Sequence, residues 1–314
     1  MDRRIAVLLP CRNEEVAIAA VVAGFRAALP DAAIYVYDNN STDDTAKRAR
    51  TAGAIVRREE LAGKGNVVRR MFADIDADIY IIADGDGTYD PTQAPEMARR
   101  IADDSIDMVV ATRADAGSEE TYRPGHRMGN RTLTGFVGWL FGERFSDILS
   151  GYRAFSRRFV KSFPALAQGF EIETELTIHA LELRMPVDEI QTRYSARPEG
   201  SASKLSTWRD GFRIFATILF LFKEVRPFRF FGAIFLGLAL ISLVLVYPVL
   251  ITFLQTGLVP RLPTAVLSMG VMVLAFIALV SGVILDTVSR GRREAKRMHY
   301  LALSSPANHP TKPD

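Results

Sequence analysis

A chain of 314 residues with 48% apolar side chains can bury the core of one large domain or two smaller ones, which excludes a disordered chain. Its 39 basic and 36 acidic residues leave +3, but from Thr287 onward six Lys or Arg face two acids, a local +4 that leaves about −1 elsewhere; the basic character is a C-terminal feature and not a nucleic-acid-binding face. With Cys11 its only cysteine and four His outside any His-Glu-x-x-His pattern, a disulfide framework and a cysteine-ligated zinc site are excluded, and chemistry falls to oxygen ligands or His.

The first predicted element is a β-strand. MDRRIAVLLPCRNEE holds a short apolar run and turns charged too quickly for a signal peptide, which fits the start of a cytosolic domain. The runs AIYVY, AIV, IYIIA and MVVAT follow, with amphipathic stretches between the first four runs of the series. This rhythm predicts an α/β fold, a mostly parallel sheet with flanking helices. Ligands of such sheets bind beyond the carboxyl ends of the strands, so the residues just after each run are the candidates: Pro10 to Glu15, Asp38 to Asp43 and Asp84 to Asp90.

In DNNSTDDT, Asp38 is placed to accept from a base N–H and Thr42 or Asp43 to cap a helix, although by itself the segment is also a good turn. Gly63-Lys64-Gly65 opens another helix, where a cation and free backbone N–H groups can meet a phosphate. It is not a Walker loop, and no Gly-x-Gly-x-x-Gly follows any strand, which weakens a dinucleotide-binding reading. ADGDGTYDP sets Asp84 and Asp86 at the end of a buried strand with Gly85 and Gly87 leaving room for close approach. Paired carboxylates on a turn suit Mg²⁺ or Mn²⁺, which complete their shells with water and substrate phosphate. A plain acidic turn accounts for the same residues equally well. An EF-hand does not, because Tyr89 and Pro95 stand where that loop needs Gly and Glu. Glu173 and Glu175 in FEIETEL are further acids or simply flank a helix.

Residues 206–229 form an apolar run with basic flanks, suited to an interfacial helix or to an amphipathic core helix. Phe230 to Leu254 and Ala265 to Leu285 hold no charge and would span about 37 and about 31 Å as helices. The connector between them carries one charge, Arg261, whereas Arg226 and Arg229 precede the first span and Arg290, Arg292, Arg293, Lys296 and Arg297 follow the second. The positive-inside rule places both ends in the cytoplasm. A buried helical hairpin of a soluble protein is the alternative. The expected division is a catalytic domain over 1–205, a juxtamembrane segment over 206–229, two transmembrane helices over 230–288 and a basic cytoplasmic tail over 289–314.

PCRNEE, DNNSTDDT, GKG, ADGDGTYDP, SGYRAF and RPEGSASKL occur in the order found in glycosyltransferase family two, and more closely in its polyprenyl-phosphate branch, which the chain resembles to about Leu285. The resemblance implies a GT-A fold, Rossmann-like, followed by an interfacial helix and a transmembrane hairpin. It implies an inverting enzyme in the cytoplasmic membrane that moves a hexose-type sugar from a nucleotide diphosphate sugar, UDP favoured and GDP the alternative, to a polyprenyl phosphate lipid. A homo-oligomer is compatible with it. Pro10, Arg12, Glu14, Asp38 and Lys64 would hold the donor, and Asp84 and Asp86, as the family's Asp-x-Asp, the metal. Thr88 stands where mannose synthases of this branch often have Gln. Arg113, Arg127, Arg197 and Lys204 would meet phosphate on the acceptor side; for the RPEGSASKL pair a solvated basic loop is the other reading. Asp147 with Arg153 would join Asp86 in the reaction centre or form a structural ion pair. The rivals are a processive polysaccharide synthase, which normally carries a Gln-x-x-Arg-Trp motif not found here, and a non-catalytic membrane scaffold.

Overall fold

The computed structural model describes residues 3–114, 134–139, 145–169, 171–198 and 207–304. They form two compact units, one made of residues up to Ile218 together with those from Lys296 onward, the other spanning Leu219–Ala295.

In the first unit β1 (Ile5–Cys11), α1 (Ile18–Ala28), β2 (Ala33–Asp38), α2 (Thr45–Thr51), β3 (Ile55–Arg58), α3 (Lys64–Asp74), β4 (Ile79–Ile82), α4 (Ala94–Asp103) and β5 (Met108–Ala114) alternate as the apolar rhythm predicts. A short helix α5 (134–139), β6 (Arg153–Ser156), α6 (Arg157–Ser162), α7 (Ile172–Leu183) and β7 (Val187–Arg193) complete it. The seven strands are ordered β3-β2-β1-β4-β6-β5-β7. β6 runs antiparallel to both neighbours, β4 and β5, and the remaining pairs are parallel.

β1 reads as an unbroken apolar run because both faces of the sheet are covered. Val7 and Leu9 enter one core with Ile79 and Ile81 of β4, while Ala6 and Leu8 enter the other with Tyr80 and Ile82. The helices follow the matching period. α1 buries Ile18, Val21, Val22 and Phe25, and α4 buries Ala94, Met97, Ala98 and Ile101, on the first face. α3 buries Val67, Val68, Met71 and Phe72 on the second. The i, i+3, i+4, i+7 spacing of α1 and α4 and the i, i+1, i+4, i+5 spacing of α3 each give one apolar stripe, and each larger side chain so buried contributes about 1.5–3 kcal/mol. Because β2, β1 and β4 are parallel neighbours, their carboxyl ends lie at one edge of the sheet.

α8 (Thr207–Val225) ends before Pro227, which starts α9 (Pro227–Thr256) at the position where a missing N–H costs nothing. α9 closes on Gly257 in the left-handed conformation (φ 68°), and α10 runs from Leu262 to Leu301. α9 and α10 are each long and apolar enough to cross a membrane, with mean hydropathy 2.7 and 2.5 in their best windows. Only 11% and 22% of those windows is buried, whereas a soluble core helix would be mostly covered. The stretch expected as a tail from residue 289 instead continues α10 to Leu301, because REAKRM is built of good helix formers and its end is anchored. Lys296 Nζ bonds Glu182 at 2.7 Å and the Tyr300 hydroxyl donates to Asp107 at 2.7 Å, both within the first unit.

Candidate active site

The acidic loop leaves the buried end of β4. Gly85 passes the end of β1 so closely that a Cβ there would lie 2.3 Å from Cys11 Sγ, and Gly87 takes a positive φ of 76°. Glycine is required at the first and strongly favoured at the second. Between them Asp86 is turned inward, and its Oδ1 accepts from Thr88 N at 3.1 Å and Thr88 Oγ1 at 2.7 Å. Burial, then the charge of Asp84, pushes the Asp86 carboxyl above the usual range. A cation here would offset both.

Two cationic side chains already reach this pair. Lys64, at the first position of α3, bonds Asp84 Oδ1 on one side and Glu173 Oε1 of α7 on the other, the latter at 2.5 Å. Its burial opposes protonation, but the two carboxylates outweigh that and raise its pKa, so the ammonium is retained. Gly151 lines the same pocket: a Cβ there would lie 2.7 Å from Asp84 Oδ2 and 3.0 Å from Lys64 Nζ. Arg197 arrives from beyond β7, whose continuation pairs with the acidic loop through a Tyr89–Tyr194 bridge and a 2.9 Å bond from Ser195 N to Thr88 O. That pairing sets the Arg197 guanidinium 2.5 Å from Asp86 Oδ2 and 3.9 Å from Glu14 Oε1.

The loops after β1 and β2 are laced together. Glu14 N bonds Thr45 Oγ1 at 2.8 Å, Asn13 N bonds Ser41 Oγ at 2.9 Å, and Thr42 N bonds Asn13 Oδ1 at 2.8 Å. Asp43 Oδ1 accepts from Thr45 N, the first residue of α2, at 3.0 Å, whereas the N-cap position itself is Asp44 and carries no side-chain cap bond, so neither Thr42 nor Asp43 is the N-cap that the sequence suggested. Asn39 donates to Glu59 O and Leu61 O and accepts from Gly63 N, which fixes the approach to Lys64. Asp38 is buried beside this lacing. Its Oδ2 accepts from Ser41 N at 3.3 Å, while its Oδ1 has no hydrogen-bond partner. Such an atom is costly to leave unmet and suits a ligand N–H. Pro10 is half-buried at the end of β1 and Arg12 is exposed after it.

The region around SGYR departs from the expected Asp147–Arg153 grouping. Asp147 is gripped by Arg113 of β5, through Nε at 2.7 Å and Nη2 at 2.8 Å, and Arg113 also lies 5.5 Å from the Tyr194 ring centre. A phosphate reaching Arg113 therefore meets a guanidinium already engaged by Asp147. Arg153 points into the interior, where it donates to Ser150 O, Ile148 O and Thr177 Oγ1. Burial lowers its pKa, and the carbonyls it holds shape the turn that carries Gly151. Its place is behind the site, because in β6 its side chain is fully covered. Arg127 and Lys204 lie outside the described residues.

Glu173 was legible only as one acid in a helix. The signal that could have found it is its setting among Ile172 and Leu176, a buried acid that must have a cationic partner. Among the described residues no cluster of three His, Cys, Asp or Glu is arranged to hold a metal. Asp84 and Asp86 nevertheless fit Mg²⁺ or Mn²⁺, which take one or two protein carboxylates and fill the shell with water and phosphate, and Lys64 and Arg197 occupy the pair as stand-in cations.

Comparison with known proteins gives the family. Residues 6–162 match Glycosyl transferase family 2, and glycosyltransferase AglJ of Haloferax volcanii is 33% identical over 310 residues, 95% of this chain and 98% of that protein. The chain belongs to glycosyl transferase family 2. A second relative of this glycosyltransferase, the dolichyl-phosphate hexose transferase of Haloferax volcanii, is 27% identical over 222 residues, 71% of this chain and 95% of that one. Among solved structures, glucosyl-3-phosphoglycerate synthase from Mycobacterium tuberculosis with phosphoglyceric acid superposes with a TM-score of 0.57 at 26% identity, over 69% of this chain and 79% of that one. The same enzyme with Mn²⁺, UDP-glucose and phosphoglyceric acid gives 0.54 at 25% identity, again over 69% and 79%. Such neighbours agree with the expected GT-A fold of the family 2 glycosyltransferase, and α9 and α10 give it two helices able to cross a membrane.

Proposed function

We propose that this family 2 glycosyltransferase transfers a hexose-type sugar from a nucleoside diphosphate donor, UDP favoured, to a polyprenyl phosphate, with inversion, at the cytoplasmic face of the membrane. The observation that carries the donor half is the charged knot at the end of β4, Asp84 and Asp86 with Lys64, Glu173 and Arg197. Asp38 Oδ1, buried and unmet, offers an acceptor for a base N–H at the neighbouring strand end. Lys64 and Arg197 supply charge-assisted hydrogen bonds to a diphosphate. Mg²⁺ or Mn²⁺, held by Asp84 and Asp86, would supply Lewis-acid neutralisation of the departing nucleotide.

The acceptor half is supported by the two apolar helices, which suit an acceptor that lives in a membrane, and a phosphate would take the Arg113 fork by exchange with Asp147. A phosphate monoester has its second pKa near about 6, so it is already largely anionic at neutral pH and needs no strong base. His179 agrees with that: it is buried against Phe159 and Phe163, and burial pushes its pKa down to about 3, unsuited to activating a hydroxyl. The charge bias around the two spans supports a cytoplasmic catalytic domain.

The deciding assay presents UDP- and GDP-sugars with a polyprenyl monophosphate and with the corresponding free alcohol. Transfer to the phosphate alone is expected, and efficient transfer to the alcohol would refute the acceptor assignment. For topology, Thr256→Cys should react with a membrane-impermeant thiol reagent only from the non-cytoplasmic side and Ser304→Cys only from the cytoplasm. The opposite labelling would reverse the proposed orientation.

A further inference from the structure

Both carboxylates that would hold a metal are already neutralised by the protein's own cations. Lys64 Nζ is shared between Asp84 and Glu173, and the Arg197 guanidinium sits 2.5 Å from Asp86 Oδ2. These cations differ in enclosure. Lys64 is enclosed, with 9% of its side chain exposed, and keeps Glu173 as a counter-ion if Asp84 turns to another partner. Arg197 is 26% exposed and follows a strand continuation that the acidic loop holds through the Tyr89–Tyr194 bridge. Its next carboxylate, on Glu14, is 3.9 Å away. No third His, Cys, Asp or Glu completes a metal site among the described residues.

We propose that Arg197 is an electrostatic placeholder that keeps the divalent cation out until a nucleoside diphosphate arrives. A metal ion alone would have to displace Arg197 from Asp86 and leave the guanidinium in a partly dry pocket with a weaker partner, a costly exchange. The diphosphate removes that cost, because it brings negative oxygens that both the displaced guanidinium and the cation can contact. Lys64 makes the same exchange in milder form: Glu173 holds its charge while Asp84 changes partner. The carboxylates thus never stand uncompensated, and the metal enters with the donor. By linkage, the metal must then tighten nucleotide binding by the same factor as nucleotide tightens metal binding. The inference rests on the proposed metal and donor sites and concerns the order in which they fill.

The test is calorimetric titration of the full chain in detergent micelles with Mn²⁺, with and without saturating uridine diphosphate. Wild type should bind Mn²⁺ about a hundredfold more tightly with the nucleotide present, near the upper end of ordinary coupling between sites. Direct contact between diphosphate and cation gives some of this in any case, so the deciding arm is Mn²⁺ alone. Arg197→Gln should bind Mn²⁺ alone about tenfold more tightly than wild type and show a smaller coupling factor, because nothing has to be displaced from Asp86. Arg58→Gln removes the same charge from an exposed position on β3, where screening is effective, and should shift the metal affinity by less than about twofold. Unchanged or weaker metal-only binding in Arg197→Gln, or an equal shift in Arg58→Gln, overturns the placeholder. Absence of Mn²⁺ binding by wild type even with uridine diphosphate overturns instead the metal reading beneath it.

Discussion

The two units solve opposite problems with the same kinds of side chain. In the sheet unit Val7, Leu8 and Leu9 are wholly covered, whereas in the helical unit Leu236, Leu240 and Val266 are 67%, 63% and 63% exposed. Apolar exposure on that scale marks a surface that meets a membrane or another protein, and both helices are long enough to cross a membrane. Interior polar groups differ just as sharply. The sheet unit encloses whole charges in pairs: Lys64 with Asp84 and Glu173, Arg113 with Asp147, and Arg158 with Asp107. The buried polar residues of the helical unit are serines, such as Ser242, whose Oγ donates to Ser268 O across the two helices at 2.7 Å. Enclosed ion pairs can exchange partners and do chemistry, whereas a hydroxyl on a carbonyl can only hold helices together.

The largest effect should come from removing one enclosed charge at the site. Asp86→Asn should lower transfer by at least about 10³-fold, some 4 kcal/mol of transition-state stabilisation, and EDTA should silence the wild type. Circular dichroism should be unchanged, since Thr88 can still donate to the amide oxygen. Full turnover in excess chelator would break the distinction between working charges and structural ones. Next comes Gly151→Ala. Its Cβ would press on Asp84 Oδ2 at 2.7 Å and on Lys64 Nζ at 3.0 Å, so the knot must shift. We expect a loss of about 10²-fold in turnover, about 2.7 kcal/mol, with little change in melting temperature. A variant of full activity would show that the knot is not held to tight geometry.

What the sequence disclosed, and what it hid, follows the same divide. β1, β2, β4 and β5 were legible because doubly covered strands read as unbroken apolar runs. β6 was not: RAFS is four residues long with a buried arginine at its head, and nothing local tells that it runs antiparallel. β7 was missed too, because VDEIQTR is partly exposed along its length and looks like a polar connector. Asp38, Lys64, Asp84 and Asp86 stood out at strand and helix ends, where chain order already brings ligand sites together. Glu173 and the Arg113–Asp147 pair depend on contacts between distant segments, which no spacing reveals. The apolar spans were plain, but the charged end of α10 looked like a tail because its partners, Glu182 and Asp107, lie 114 and 193 residues away in the chain.

In the helical unit a packing change should cost less than the loss of a working charge. Gly282 of α10 lies where a Cβ would come within 2.9 Å of Phe231 Cβ of α9. Gly282→Leu should force α9 and α10 apart and destabilise the unit by about 1–3 kcal/mol, read as a lower thermal midpoint in detergent. Donor binding should stay near wild type, since the residues proposed to hold the donor all lie in the sheet unit. An equal loss of donor affinity would show that the two kinds of interior are not energetically separate.

The smallest effect tests whether the end of α10 belongs to the sheet unit in energy as well as in contact. Asp107 is fully buried and held by Arg158, by Ser156 Oγ at 2.6 Å and by the Tyr300 hydroxyl at 2.7 Å. The Tyr300 ring also faces the Arg158 guanidinium at 4.8 Å. Tyr300→Phe removes one hydrogen bond but keeps the ring, and Asp107 retains two donors. No buried charge is stranded. The expected cost is therefore about 1 kcal/mol, a fall of about 2–4 °C in the melting temperature of a unit this size. Burial, then the bond to Asp107, raises the Tyr300 pKa, so the stabilisation should be constant below the unfolded pKa near about 10 and decline as the pH climbs above it. The difference between Tyr300→Phe and wild type should accordingly be the same at pH 6 and pH 8. An unchanged melting temperature, or a difference that varies over that interval, would mean that the helix end rests on the sheet unit without helping to hold it.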